Sequence, residues 1–141
     1  MAELPEEILA EKENVEVALG NLREVLSRKS KSVVELTAMG GFLQNIYNGI
    51  ENILRQVLGI RGVEVPRSDT WHQELLRRSM SSGIISEGLA AELRDYLSFR
   101  HFFVHGYGFM LNEAKLQDLA DRLPDVWSRF QTEIRRSFSD A

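Results

Sequence analysis

The most regular apolar pattern in the chain lies in residues 32–59, SVVELTAMGGFLQNIYNGIENILRQVLG. Its large apolar side chains recur at alternating steps of three and four residues, which places them on one face of an α-helix. They are Leu36, Met39, Leu43, Ile46, Ile50, Ile53 and Val57. Ser32 and Glu35 have the spacing of an N-terminal capping box, and Gly59 is typical of a helix end. The stretch predicts a helix over about 33–58 that packs along other helices of a bundle.

Four further helices are predicted from apolar patterns of the same kind, at about 5–29, 71–80, 87–105 and 113–138. Three of them follow a residue suited to an N-cap, namely Thr70, Ser86 and Asn112. In the last helix the pattern continues across Pro124, which predicts a kink rather than an end. The sequence has no strand alternation and no internal repeat. It therefore predicts an all-α protein, a four- or five-helix up-and-down bundle in a single domain over residues 1–141.

Three glycines interrupt the helix predicted at 33–58, and they are Gly40, Gly41 and Gly49. Each costs about 1 kcal/mol relative to Ala in a helix interior, so we expect them to allow the close approach of another helix or another protomer. The side chains expected in the core are Leu43, Ile46, Ile50, Leu93, Leu123 and Trp127.

Composition limits the possible functions. The 141 residues include no cysteine, which excludes disulfides, thiolate zinc sites and cysteine nucleophiles. The N-terminus is acidic and lacks the apolar region of a secretory signal, and no apolar run approaches the ~18 residues of a membrane span. We therefore expect a cytoplasmic protein without a membrane partner. The net charge of −4 argues against a general polyanion binder, so any contact with nucleic acid must use a local patch.

Residues able to do chemistry crowd together in one stretch, SFRHFFVHGYG at 98–108. Arg100 lies seven residues after Leu93 and so falls on nearly the same apolar helix face. A guanidinium cannot lose its charge, and at such a position it needs an anion. The sequence leaves two interpretations open: a functional cation, or an ion pair with an acid such as Glu51 or Asp95.

Residues 100–107, RHFFVHGY, resemble the R-polar-xxx-H-x-Y signature of HEPN-superfamily ribonucleases, in particular the HepT-like toxins. His101 fits the polar second position. The resemblance covers most of the chain in architecture but only these eight residues as a motif. It implies a HEPN-type helical domain over 1–141 that forms a homodimer, with the site at a two-fold interface. It also implies RNA as substrate and an MNT-type nucleotidyltransferase antitoxin, which attaches adenylyl groups to the tyrosine that matches Tyr107.

The motif suits RNA cleavage without a metal or a cofactor. RNA carries its own nucleophile, the 2′-OH, so the protein must supply a base and a cation for the charged phosphate. His105 is the candidate acid/base and Arg100 the candidate stabiliser of the phosphate. Three histidines without clustered carboxylates make a poor metal site. Four residues complete the candidate site in supporting roles: His101, Tyr107, Asn48 and Glu51.

Asn48 and Glu51 enter this set because asparagines recur at helical spacing on the long helix, at 45, 48 and 52. One interpretation is a solvated polar face. The other is a polar wall opposite the motif, where Asn48 or Glu51 orients a side chain or a phosphate. His72 could also face the site, but a lone histidine beside a tryptophan is more often a packed structural residue.

The spacing of the motif raises a geometric difficulty. On a continuous helix Arg100 and His105 lie about 140° apart, because each residue turns ~100°. Either the helix loosens before Gly106, or a second protomer completes the site. Two alternatives to the ribonuclease remain: a non-catalytic HEPN-type module that docks a nucleotidyltransferase or binds a nucleotide, and a generic helical interaction protein.

Overall fold

The computed structural model describes residues 4–29, 31–105 and 112–139, and within them the chain forms α-helices and no strand. The helices are α1 (Glu6–Leu26), α2 (Val33–Ile60), α3 (Trp71–Ser81), α4 (Glu87–Val104) and α5 (Glu113–Ser139). Every helix begins within one residue of its predicted start. The all-α bundle is confirmed, with five helices.

The long helix α2 is the centre of the bundle, since it packs against each of the other four helices. The six side chains predicted for the core are all buried. The helix α5 continues across Pro124 without an end, as its apolar pattern predicts. Among the described helices, none combines the length and apolarity that crossing a membrane requires.

Side-chain caps explain three of the helix starts. At α2 the Ser32 hydroxyl accepts from the Glu35 N–H at 3.2 Å, and the Glu35 carboxylate accepts from the Ser32 N–H at 2.9 Å, which completes the predicted capping box. Ser86 accepts from the Leu89 N–H at the start of α4. The Asn112 side chain accepts from the Lys115 N–H at the start of α5.

The capping prediction for Thr70 is wrong. Thr70 precedes α3, but its side chain makes no capping hydrogen bond within the described chain. Its backbone, at φ −110° and ψ 21°, is not extended like that of Ser32 or Ser86, so the hydroxyl does not lie over the first turn. Instead it lies 3.3 Å from the Ser68 hydroxyl in the preceding loop.

Two of the three glycines in α2 allow close helix packing. A Cβ at Gly40 would stand 2.6 Å from the Phe103 ring of α4, and one at Gly49 would collide with a methyl group of Val15 in α1. Around Gly41 the described residues leave open space, and nothing in the structure explains this glycine. The contact at Gly40 brings the last turns of α4, which carry the motif, against α2.

Candidate active site

Arg100 reaches from α4 to the polar residues of α2. Its Nε donates a hydrogen bond to Asn48 Oδ1 at 2.7 Å. Both side chains are half-buried. The structure thus places Asn48 where the polar-wall interpretation puts it, whereas Asn45 and Asn52 are exposed as the solvated-face interpretation expects. Asn52 faces α1, where its amide donates to Glu11 at 3.3 Å.

His72 connects Arg100 to a buried carboxylate. Its Nε2 lies 3.5 Å from Arg100 Nη1, and its Nδ1 lies 2.8 and 2.9 Å from the two carboxylate oxygens of Glu51. Glu51 is only 3% exposed. The imidazole also stacks on Trp71, with ring centroids 3.7 Å apart. Three helices therefore meet in one polar cluster of Asn48, Arg100, His72 and Glu51, which we call the Arg100 cluster.

Two expectations about this region need correction. Arg100 does not form a direct ion pair with either proposed acid within the described residues. Asp95 instead pairs with Arg122 at 3.2 Å, and Glu51 is occupied by His72. His72 itself was missing from the predicted site. It lies 21 residues from Glu51 and 28 from Arg100 in sequence, so no helical spacing could connect the three.

Tyr47 lies beside the Arg100 cluster in the core, 1% exposed. Burial raises the pKa of Tyr47 well above its usual range, and the nearby Glu51 carboxylate adds to the effect while Arg100 opposes it. Its hydroxyl makes no direct hydrogen bond to any part of the chain that the structure describes. Tyr47 therefore stays neutral and cannot act as a charged partner of Arg100.

The two motif histidines occupy a different environment from Arg100. His101 and His105 are both exposed, and their ring centroids lie 4.2 Å apart at an angle of 52°. The His105 N–H donates to the His101 carbonyl at 3.2 Å, so the helical hydrogen bonding does not loosen before residue 105. No described hydrogen bond joins His105 to Arg100. Tyr107, Gly106 and Gly108 lie outside the described residues.

The described side chains do not assemble a metal centre. Within residues 4–29, 31–105 and 112–139 no three His, Asp or Glu side chains come close enough together to hold an ion. Glu51 and His72 form a pair without a third ligand of these types. The described groups able to take part in chemistry here are the Arg100 guanidinium, the exposed imidazoles of His101 and His105, and the Glu51–His72 pair.

Comparison with known proteins assigns most of the chain to a family. A family model described as "HepT-like protein" matches residues 38–141. The matched region includes the RHFFVHGY stretch and also Asn48, Glu51 and His72. Neither a curated protein nor a solved structure matches the chain.

Proposed function

The chain belongs to the HepT-like protein family, and from this membership we propose that it is a metal-independent endoribonuclease, the toxin half of a HEPN/nucleotidyltransferase pair. The observation that supports the proposal most is the placement of Arg100. Asn48 and His72 hold its Nε and Nη1, while its Nη2 makes no hydrogen bond to a described residue. A half-buried guanidinium with one edge free of hydrogen bonds to the described residues suits a phosphate oxygen.

The proposed reaction uses the 2′-OH of the substrate as nucleophile. His105 removes the 2′-OH proton while that oxygen attacks the adjacent phosphorus. Arg100 stabilises the charge that develops on the non-bridging oxygens. The bond from phosphorus to the 5′ oxygen then breaks, and the departing oxygen takes a proton from His105 or from its copy in a second protomer. The products are a 2′,3′-cyclic phosphate and a 5′-hydroxyl end.

The proposed site requires two protomers. Because α4 remains helical up to its end, Arg100 and His105 of one chain face different directions, and a two-fold dimer would bring the copies around one cleft. Val104, between them, is 43% exposed and could be covered in such an interface. We propose an interface that includes residues 98–108 and part of α2. A monomer mass by light scattering at micromolar concentration would contradict it.

The proposed regulation concerns Tyr107, which lies outside the described residues. An MNT-type nucleotidyltransferase partner would attach an adenylyl group there, adding bulk and negative charge to the end of the motif. RNA would then be excluded by both charge and volume. Co-expression with the candidate partner, followed by intact mass measurement, tests this step. An unmodified mass for a silenced toxin would contradict it and leave simple binding as the mode of inhibition.

The ribonuclease is tested with the purified protein and an RNA oligonucleotide in EDTA. We expect cleavage that persists in EDTA, vanishes in His105→Ala, and fails at a position where a single 2′-deoxynucleotide is substituted. Arg94→Ala is the matched control, because Arg94 is exposed on the same helix outside the motif. Cleavage that continues at the deoxynucleotide, or that proceeds at a rate close to wild type in His105→Ala, would contradict the mechanism.

A non-catalytic HEPN-type binding module is the second candidate. This function is favoured because two of the three guanidinium nitrogens of Arg100 already contact side chains of the same chain. Such a module would dock the nucleotidyltransferase or bind a nucleotide without cleaving RNA. Titration with nucleotides and with the partner, together with intact RNA in both EDTA and magnesium, would support this function over the ribonuclease.

A further inference from the structure

Glu51 is a buried carboxylate whose two oxygens both approach the His72 imidazole. At 3% exposure it is the most deeply buried charged side chain of the Arg100 cluster, and a buried charge is stable only when it is hydrogen-bonded. In the described part of the chain, both of its oxygens face the same atom, His72 Nδ1. The carboxylate can only accept, so this geometry requires a proton on His72 Nδ1.

The contact of the second ring nitrogen, Nε2, favours the same placement of the proton. Arg100 is always charged and its Nη1 can only donate, so the 3.5 Å approach to His72 Nε2 is favourable when Nε2 carries a lone pair. The opposite tautomer would place a lone pair against the Glu51 carboxylate and an N–H against the guanidinium. A doubly protonated ring would also put an N–H against Arg100. One neutral tautomer, protonated on Nδ1, satisfies both neighbours.

Stacking also fixes the orientation of the His72 ring plane. Trp71 stacks on one face of His72, and the Arg55 guanidinium lies 5.1 Å from the centroid of the Trp71 ring. Such stacks contribute orientation at modest energy. The direction of His72 Nε2, and with it one contact of Arg100, is therefore set by residues of α2 and α3.

We propose that His72 is a positioning residue for the site, held by Glu51 in the Nδ1–H tautomer so that its Nε2 aims the Arg100 guanidinium. Asn48 accepts from Nε and His72 contacts Nη1, while Nη2, which makes no hydrogen bond to the described residues, meets the phosphate. The tautomer follows from the cluster alone. Its consequence for RNA cleavage rests on the proposed function, so the two parts are tested separately.

The tautomer is tested by nitrogen-15 NMR of the imidazoles in the wild-type protein, recorded well above the unperturbed histidine pKa of ~6.5. We expect His72 to show a protonated Nδ1 and an unprotonated Nε2, while exposed His101 and His105 show the mixture typical of free imidazole. Glu51→Gln should shift His72 toward a mixture, because an amide can donate to Nδ1 as well as accept. Glu92→Gln is the matched control, since Glu92 faces α5, where it pairs with Arg122 and Arg129. A wild-type His72 protonated on Nε2 would overturn the proposal.

The consequence for cleavage is tested by two substitutions at one position. His72→Leu removes the acceptor, and we expect kcat to fall on the order of 100-fold through misplacement of Arg100. His72→Gln restores a neutral acceptor and should recover most of that loss at similar thermal stability. Equal losses in the two variants would overturn the positioning role. An inactive wild type that shows the Nδ1–H tautomer would instead refute the ribonuclease, and leave the tautomer assignment supported.

Discussion

The two halves of the RHFFVHGY stretch lie in opposite environments although one helix carries both. Arg100 is half-buried and is held by Asn48 of α2 and His72 of α3. His101 and His105 are exposed, and their rings contact each other. The bundle therefore orients Arg100 before substrate binds. We expect the proposed acid/base group, His105, to be positioned only by a second protomer or by the substrate.

This difference has a consequence for how the halves respond to substitution. A change at an exposed histidine removes chemistry and leaves packing intact. A change in the Arg100 cluster removes partners from buried polar groups, and those groups then carry an uncompensated desolvation cost. The variants below separate the two effects.

The largest effect is expected for His105→Ala. Loss of a general acid/base typically costs about 10²–10⁴-fold in rate, so kcat should fall by that factor. The free energy of unfolding should change by less than about 0.5 kcal/mol, because the residue is exposed. Kinetics with a labelled oligonucleotide and chemical denaturation measure the two. A large loss of stability would show that His105 is packed like Arg100.

Mixing two inactive variants tests whether Arg100 of one protomer and His105 of the other form one site. Arg100→Ala and His105→Ala should each be inactive as homodimers. Subunit exchange should restore at most about half of the wild-type rate, because half of the dimers are mixed and the shared cleft of each holds one intact Arg100 and one intact His105. A mixture that stays inactive despite confirmed exchange would place Arg100 and His105 of the same chain in one site.

Removal of the buried carboxylate should destabilise the fold. Glu51→Ala leaves the His72 N–H without its acceptor and opens a cavity, at a cost of about 3 kcal/mol. Glu24→Ala is the matched control, since this exposed glutamate makes only a long pair with Arg28 at 3.9 Å. Urea denaturation of both variants gives the difference. Equal stabilities would mean that the cluster does not hold Arg100 by buried interactions.

A smaller difference in stability is expected between variants of two buried tyrosines. The Tyr96 hydroxyl donates to the Leu119 carbonyl at 2.6 Å, whereas the Tyr47 hydroxyl has no direct partner among the described residues. We expect Tyr96→Phe to cost about 1 kcal/mol and Tyr47→Phe to be neutral or stabilising. Thermal melts of the pair decide this. A clear loss in Tyr47→Phe would show that its hydroxyl bonds within the Arg100 cluster.

The same tyrosines predict a loss of stability in alkali. Burial raises the pKa of both Tyr47 and Tyr96, so the folded state keeps their protons after the unfolded chain releases them near pH ~10. Stability is therefore fully present below that pH and declines as the pH rises further. Denaturation as a function of pH should show a shallower decline in Tyr47→Phe than in the wild type.

Local patterns predicted much of this molecule. Steps of three and four located five helices, and Ser32, Ser86 and Asn112 marked three starts because an N-cap depends on residues within one turn. Thr70 failed as a cap because the loop before it sets its backbone angles. Asn48 was predicted for the site from its helical spacing. His72 could not be predicted in that way, because it lies on a different helix from Glu51 and Arg100.

What the sequence determined by itself is local: the helical periodicity, the apolar faces, and the order of Arg100, His101 and His105 along one helix. These features depend on residues a few positions apart, so they can be read from the chain directly. Only the tertiary structure decided which polar groups meet. The close contact of Phe103 with Gly40 seats α4 on α2, and the fold brings α3 beside both, so that residues 48, 51, 72 and 100 converge. Such long-range contacts depend on how whole helices pack, which no spacing within a single helix encodes.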